Sequence, residues 1–257
     1  METQLSKILG RSLHADLVNS TSNSRILVTG GNGSVGQKLK ERCPNAVITD
    51  INEVDVTNIT KVNDFVRKNA PFDYVIHLAG DKHAPKGEET PFNTLDINTH
   101  GIQNLIICLP NAHHVLASTC KACNPETVYG ATKLISERLI LNNGGAVARF
   151  YNVVETQGNV FEIWKNGPKE VYACHRFFIG IDEAIGLLIE CLNLKGRFAV
   201  NPGKIRSMVD IFNVLGYKGP VKERRKGDRQ CELLHSTSET ITPHGSLLKI
   251  TSYHDSN

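Results

Sequence analysis

Short apolar runs alternate with stretches of helical spacing along the first 150 residues of the chain. The runs are rich in β-branched residues and end at turn residues, a pattern typical of buried strands. Between them, apolar residues recur every three or four positions, which predicts amphipathic helices. Strands are predicted at residues 25–29, 46–49, 74–79, 114–117, 146–150 and 197–200, and helices at 35–42, 57–69, 91–108, 129–141, 181–194 and 207–215.

Strands that alternate with helices at this spacing form a parallel sheet covered by helices on both faces. We therefore predict an α/β fold, a Rossmann-type doubly wound parallel sheet, over residues 25–150. Residues 151–257 have a looser pattern and are predicted to form a small substrate-binding lobe and tail, intertwined with the first domain. Residues 1–24 are polar and end in a run of Ser, Thr and Asn, which indicates an N-terminal extension and linker.

Composition narrows the class of protein. The chain has 257 residues, with 29 Lys and Arg against 26 Asp and Glu, and this balance argues against nucleic acid as a partner. No apolar run approaches the roughly 20 residues of a membrane-spanning helix, and the N-terminus lacks a secretion signal. Seven scattered cysteines favour a reducing compartment, so we expect a cytoplasmic protein without a membrane contact. The lone pair Cys120 and Cys123 lacks a second pair of ligands, so no metal site is predicted.

Three glycines, Gly30, Gly33 and Gly36, follow the first predicted strand and open a helix. Glycine here allows a tight turn, close approach of a pyrophosphate and packing of the helix on the sheet, while the helix N-terminus offers free N–H groups. Asp50 ends the second strand at the distance that dinucleotide-binding turns require. Its carboxylate can accept hydrogen bonds from both ribose hydroxyls and would repel a 2′-phosphate, and residues 51–53 contain no Arg to bind one. The sequence therefore predicts NAD in preference to NADP.

Tyr129 and Lys133 are four residues apart, on one face of a predicted helix. A tyrosine with a pKa of about 10 is a poor base at neutral pH. An adjacent ammonium favours the phenolate, so we expect the pKa of Tyr129 to be lowered into a working range. Thr119 follows the fourth strand, at the end where open α/β sheets bind ligands. Together these residues predict an acid–base site beside the nucleotide.

At these residues the chain resembles the extended short-chain dehydrogenase/reductases that act on nucleotide sugars, in the NAD-dependent epimerase/dehydratase superfamily. It looks most like the polysaccharide-biosynthesis, CapD-like UDP-N-acetylglucosamine 4,6-dehydratases, which include C5-inverting enzymes. The most specific matching stretch is residues 118–125 followed by 129–133, with further matches at residues 9–11, 77–85 and 98–101. The residues predicted to bind NAD are Gly30, Gly33, Ser34, Val35, Gly36, Asp50, Asp55, Val56, Ala79 and Lys133.

The resemblance implies a mechanism. NAD takes hydride from C4 of the sugar while Tyr129 accepts the hydroxyl proton, with Lys133 and Thr119 holding both. The resulting ketone acidifies the C5 proton, a base removes it, an acid assists departure of the C6 hydroxyl, and hydride returns to C6. Family members use an Asp–Lys pair for this elimination. Here Lys121 matches the lysine, but Cys120 occupies the place of the aspartate.

The same resemblance implies the substrate contacts. Lys82 and His83 fit a solvated loop equally well, and the basic residues 222–229 also fit a solvated face. The match of residues 222–229 to the family favours phosphate binding by Arg225, because a guanidinium can make bidentate contacts. The residues implied are Lys82, His83, Arg149, Asn152, Asn159, Arg176, Arg225 and Asp228.

Three functions stay open from the sequence. The first, favoured by Lys121 and by Asn124 with Pro125, is an NAD-dependent UDP-sugar 4,6-dehydratase of surface polysaccharide biosynthesis, with or without inversion at C5. The second is a C4-epimerase or ketoreductase, which needs no Asp–Lys pair and so tolerates Cys120. The third is a non-catalytic nucleotide-binding protein, against which the complete Tyr–Lys pair argues. We expect a homo-oligomer in each case.

Overall fold

An eight-stranded mixed sheet forms the framework of the chain, of which the computed structural model describes residues 2–13, 24–167, 169–223 and 229–255. Its strands are β1 Ile26–Thr29, β2 Val47–Thr49, β3 Tyr74–His77, β4 His113–Thr119, β5 Ala146–Phe150, β6 Gly196–Val200, β7 Glu239–His244 and β8 Leu247–Ser252. Six strands are parallel, in the order β2-β1-β3-β4-β5-β6, and the antiparallel strands β8 and β7 follow β6. Three two-residue pairs lie outside this sheet: Asn152–Val153 with Phe178–Ile179, Val171–Tyr172 with Val221–Lys222, and His175–Arg176 with Arg206–Ser207.

The predicted doubly wound α/β fold is confirmed. Every strand predicted from the sequence forms, within two residues of its predicted ends. From β1 the chain moves to one side to form β2 and to the other side to form β3. Ligands of open α/β sheets bind at such a reversal, outside the carboxyl ends of the strands. The candidate site is therefore expected beyond the ends of β1 and β3.

The helices include three short ones that the sequence pattern did not reveal, α1, α4 and α8. Each has six to eight residues, too few for a clear hydrophobic period. None of the helices within the described residues is long and apolar enough to cross a membrane. The helices are α1 Glu2–Leu9, α2 Ser34–Arg42, α3 Ile59–Asn69, α4 Ala84–Glu89, α5 Pro91–Leu95, α6 Gly101–Cys108, α7 Val128–Asn142, α8 Val160–Asn166, α9 Ile181–Cys191 and α10 Met208–Val214.

One predicted helix, at residues 91–108, is interrupted. A π-helical turn, Asp96–His100, joins α5 to α6, and it contains the buried side chains of Asn98 and Thr99. A single π turn inside a helix often marks a functional site. A second short element, the 3₁₀ turn Cys120–Ala122, follows β4 directly.

Helices cover both faces of the parallel sheet. Val28 and Ile76 belong to the core formed with α2 and α9, whereas Leu27 and Val75 belong to the core formed with α3 and α6. Alternate residues of one strand thus enter opposite cores, as the period of two in a strand requires. Burial on both faces explains the continuous apolar runs that predicted these strands.

A second, smaller core lies in the lobe formed around α8 and α10. Leu5, Leu9 and Leu13 pack into it with Trp164. Residues 2–13, placed by the sequence in an extension, therefore contribute apolar side chains to this lobe. Conversely, α9, β6, β7 and β8 come from the C-terminal part of the chain but build the main sheet and its core.

Candidate functional site

The glycine turn after β1 has two glycines at which a Cβ atom would clash with the backbone and a third that is less tightly enclosed. Gly30 has a φ of +75°, and a Cβ atom on it would lie 2.5 Å from the backbone nitrogen of Ala79. A Cβ atom on Gly36 would lie 2.7 Å from the Cα of Gly31. On Gly33, the nearest atom would be the carbonyl oxygen of Gly30 at 3.4 Å. Gly33 is the N-cap of α2 and lines a cavity, and its role in holding a cofactor stays a prediction.

A cavity of about 620 Å³, which we call the first cavity, opens beside this turn at the carboxyl edge of the sheet. Thr119, Lys121 and Tyr129 also line it, so the glycine turn and the acid–base residues face one space. Lys133 is absent from the lining; its side chain is buried in α7. The predicted cofactor contacts that line the first cavity are Gly30, Gly33, Ser34, Val35, Gly36, Asp50, Asp55, Val56 and Ala79.

Asp50 is fixed by backbone N–H groups. Its Oδ2 accepts a hydrogen bond of 2.8 Å from the nitrogen of Asn32, and its Oδ1 accepts one of 2.8 Å from the nitrogen of Ile51. A carboxylate has further lone pairs, so Asp50 can still accept from hydroxyl groups in the cavity. The described residues that line the first cavity include two lysines, Lys82 and Lys121, and no arginine.

The pKa of Tyr129 differs from the sequence-based expectation. Burial raises the pKa of Tyr129, although the Lys121 ammonium and the Thr119 hydroxyl act in the opposite direction. The expected lowering is therefore wrong for this structure, because desolvation of the phenolate outweighs the nearby positive charge. Burial also lowers the pKa of Lys133 to about 8, against the attraction of the Glu137 carboxylate. The cation that most favours the Tyr129 phenolate is thus Lys121 rather than Lys133.

Asn98, on the π turn, fastens the loop after β3 to α7. Its Oδ1 accepts from the backbone nitrogen of Asp81 at 2.8 Å, and its Nδ2 donates to the carbonyl oxygen of Asp81 at 3.1 Å and to Oγ1 of Thr132 at 3.0 Å. Asp81 lines the first cavity, and Thr132 precedes Lys133. The π turn therefore positions two walls of the cavity relative to each other. Asn98 was part of the resemblance but received no role from the sequence.

The structure corrects the role that the resemblance implied for Arg149. The resemblance placed it among the sugar-nucleotide contacts, but its guanidinium is fully buried behind α7. It binds both oxygens of Glu239 at 2.9 Å, and its Nη2 lies 2.7 Å from Oε2 of Glu137. Arg197 donates to the same Glu137 oxygen at 2.7 Å. We call Glu137, Arg149, Arg197 and Glu239 the closed cluster, because their side chains are no more than 5% exposed.

A second group of charges lies beside the acid–base residues. Cys120 is buried, and burial raises the pKa of its thiol to about 12. The Glu232 carboxylate acts on Cys120 electrostatically, and its Oε1 lies 3.6 Å from Nζ of Lys121 and 2.9 Å from Nη1 of Arg176. We call Lys121, Arg176 and Glu232 the open cluster, because Lys121 and Arg176 line a cavity. Sequence reasoning missed Glu232, which stands three residues after the basic stretch in an unremarkable polar segment.

The second cavity, of about 730 Å³, adjoins the first. Lys82, His83, Lys121 and Asn152 line both. Asn152 commits its Nδ2 to Glu232 and to the carbonyl oxygen of Phe177, which leaves its Oδ1 for a ligand. The predicted substrate contacts that line the second cavity are Lys82, His83, Asn152, Asn159 and Arg176.

Two details limit the predicted substrate contacts. Oδ1 of Asn159 accepts from the backbone nitrogens of Phe161 and Glu162, so this oxygen caps α8. Arg225 and Asp228 lie outside the described residues. Their roles stay predictions.

Comparison with known proteins identifies the family. The model of a family described as polysaccharide biosynthesis protein matches residues 44–237. The chain belongs to the polysaccharide biosynthesis protein family. The predicted resemblance is thereby confirmed, and the matched residues include Asp50, Thr119, Lys121 and Tyr129.

Individual relatives are matched by the chain over part of their own length. An uncharacterized membrane protein of Methanocaldococcus jannaschii is 32% identical over 224 residues, covering 70% of this chain and 67% of the relative. The UDP-N-acetylglucosamine 4,6-dehydratase (inverting) of Campylobacter jejuni is 31% identical over 210 residues, covering 65% of this chain and 63% of the relative. The chain therefore spans about two thirds of these proteins.

The fold also matches solved structures. The structure of Pen from Bacillus thuringiensis superposes with a TM-score of 0.76 and 22% identity, over 90% of this chain and 90% of that one. At this identity the likeness concerns the fold. The matched fold agrees with the doubly wound sheet of this chain.

Proposed function

We propose that this chain is an NAD-dependent 4,6-dehydratase of a UDP-N-acetylglucosamine-type nucleotide sugar in surface polysaccharide biosynthesis. The position of Lys121 supports this most strongly. It lines both cavities, and its charge acts on Tyr129. A lysine at this place is the residue that the family uses for elimination, and the Campylobacter relative is named for that reaction.

We propose NAD as the cofactor of the first cavity. Room beside Gly33 at the N-terminus of α2 suits a pyrophosphate. The remaining lone pairs of Asp50 suit the ribose hydroxyls, and its charge opposes a 2′-phosphate. Calorimetric titration with NAD and NADP tests this choice. NAD is expected to bind more tightly, and equal affinities would overturn the preference.

In this proposal NAD, when bound, supplies the hydride acceptor for C4 and the hydride that returns to C6. Tyr129 accepts the proton of the C4 hydroxyl, helped by Lys121 and by the Thr119 hydroxyl. Lys133 holds a positive charge one helical turn away, and its pKa of about 8 keeps it largely protonated at neutral pH. Arg176 and Lys82 provide positive charge in the second cavity for a diphosphate.

The experiment is incubation with NAD and UDP-N-acetylglucosamine, with mass and NMR analysis of the product. Elimination should give a product about 18 Da lighter, with exchange of the C5 proton in heavy water, as removal of a proton and of a hydroxyl requires. Tyr129→Phe is the matched control, because it keeps the ring and removes the acid–base oxygen. Undiminished turnover by this variant would assign the base to another residue.

A C4-epimerase or ketoreductase is the second candidate, and Cys120 favours it. The family's elimination pair contains a carboxylate, whereas a buried thiol with a pKa near 12 gives up its proton poorly. A product of unchanged mass without C5 exchange would establish the epimerase. Under the dehydratase proposal, Cys120→Asp should raise the rate of elimination.

We also propose that the protein forms a homo-oligomer. Three helices next to one another along the chain expose large apolar side chains: Phe92 of α5 is 79% exposed, Ile107 of α6 55% and Ile135 of α7 45%. Apolar surface of this kind suits contact with a second copy. Light scattering of the wild type and of Ile107→Asp tests the proposal, which a monomeric wild type would contradict.

A further inference from the structure

Glu232 is a buried carboxylate at the wall of the site, and its four polar side-chain contacts within the described part of the chain are donors. Oε1 faces Arg176 at 2.9 Å and Lys121 at 3.6 Å. Oε2 accepts from Nδ2 of Asn152 at 2.8 Å and from the backbone nitrogen of Phe177 at 3.0 Å. Two cations and two amide donors around one carboxylate suit its ionised form. Glu232 therefore brings one fixed negative charge to a site rich in positive charge.

The negative charge of Glu232 affects the pKa of Lys121. Burial by itself would lower the pKa of Lys121, yet its pKa is raised, and the Glu232 carboxylate is the main cause. The other groups that act on Lys121 are Cys120, Arg176 and Tyr129. Arg176 repels the ammonium, and Cys120 is a neutral thiol because burial raises its pKa to about 12. Of the groups that favour the charged form of Lys121, Glu232 has the largest effect.

Lys121 in turn acts on Tyr129. The Lys121 ammonium is the largest influence that lowers the pKa of Tyr129 against burial. Lys121 also lines both cavities, so its charge is available to a ligand in either one. The carboxylate of Glu232 thus favours the charged form of Lys121, and the charged Lys121 favours the phenolate form of Tyr129.

We infer that Glu232 is a positioning residue that acts through Lys121, supplying the negative charge that Cys120 does not provide. The inference rests on the proposed function for its catalytic consequence, since Tyr129 is the proposed base. The charge state of Lys121 itself is independent of any substrate. The inference applies equally to a dehydratase and to an epimerase, because both need Tyr129.

The test measures the amine of Lys121 directly. Competitive labelling with acetic anhydride over a range of pH, read by mass spectrometry, reports the uncharged fraction of each lysine in the folded chain. Removing the carboxylate in Glu232→Gln should lower the pKa of Lys121, because burial and Arg176 then lose their largest opponent. A shift of about one pH unit would make labelling about tenfold faster below the pKa. Unchanged labelling in the folded variant would overturn the inference.

Two further variants separate charge from structure. Glu183→Gln is the matched control: Glu183 is also a buried glutamate paired with an arginine, Arg11, but it lines neither cavity. It should lose stability without changing the labelling of Lys121. Glu232→Asp keeps the charge and withdraws it by one methylene, so its labelling should fall between the wild type and Glu232→Gln. If Glu232→Gln does not fold, wild-type labelling in Glu232→Asp overturns the inference instead.

The catalytic consequence has its own measurement. In Glu232→Gln, the fall of turnover on the alkaline side should begin at lower pH than in the wild type, whereas Glu183→Gln should keep the wild-type profile. A wild type that turns over no UDP-sugar would refute the proposed function. The labelling result would still decide whether Glu232 controls Lys121.

Discussion

The closed cluster and the open cluster both join carboxylates to cationic side chains, but they differ in composition and in access to a cavity. The closed cluster has two guanidinium groups and two carboxylates, all buried, so its charges cancel. Within the described part of the chain, the open cluster places Lys121 and Arg176 beside the carboxylate of Glu232, and both cations reach a cavity. Buried charges need partners. The closed cluster is paired within the protein, whereas the cations of the open cluster line a cavity that an anionic ligand can enter.

The difference between the two clusters shows that a buried arginine can be paired entirely within the protein core. Arg149 matched the family's stretch and looked like a ligand contact, yet every near partner is a carboxylate of the protein. The closed cluster joins α7, β5 and β6 to Glu239 of the C-terminal hairpin. Its Glu137 also accepts from the Ser118 hydroxyl at 2.6 Å, one residue before Thr119. It therefore supports the site from behind without contacting a ligand.

Breaking the closed cluster should have the largest effect on stability. Arg149→Met leaves the buried carboxylates of Glu137 and Glu239 without one of the two arginines that they share, which should cost about 3–5 kcal/mol in the free energy of unfolding. Urea titration measures it. Arg138→Met is the control, because the ion pair of Arg138 with Asp255 is partly exposed and should be worth at most about 1 kcal/mol. Similar losses in the two variants would contradict the distinction.

Lys133 adds a third case, a buried cation whose charged form is destabilised by burial. Its pKa is about 8 in the folded chain against 10.5 for the ordinary group. The cost of its charge is thus fully present below pH 8 and disappears as the pH rises toward 10.5. Lys133→Met should therefore raise the free energy of unfolding at pH 7, by on the order of 3 kcal/mol, while turnover is lost.

This gain should vanish when unfolding is measured near pH 10.5, where Lys133 is uncharged in the folded chain. Tyr129→Phe serves as the control, since it removes turnover without removing a buried charge. A Lys133→Met variant that is less stable than the wild type at pH 7 would show that its ammonium is paired.

The smallest of the three effects concerns the open cluster. Arg176→Ala should weaken binding of UDP about tenfold, since one charge-assisted contact to phosphate is worth about 1.5–3 kcal/mol when well placed. NAD affinity should stay unchanged, because Arg176 lines the second cavity alone. Calorimetry with UDP and with NAD measures both. Unaltered UDP affinity would mean that Glu232 fully neutralises Arg176.

Sequence by itself determined the features that depend on near neighbours. Apolar runs of four to six residues specify strands, and the spacing of glycines at 30, 33 and 36 specifies a turn, because backbone geometry is local. The four-residue spacing of Tyr129 and Lys133 likewise fixes them on one helix face. These elements formed as predicted, and so did the sheet they imply.

Only the tertiary structure decided which charges meet and how deeply they are buried. Glu232 approaches Lys121 from a distant part of the chain, and no local pattern marks that contact. Burial reversed the expected direction for the pKa of Tyr129 and removed Arg149 from the ligand site. The physical reason is common to these cases: desolvation and Coulomb attraction depend on distance in space, which sequence separation does not determine.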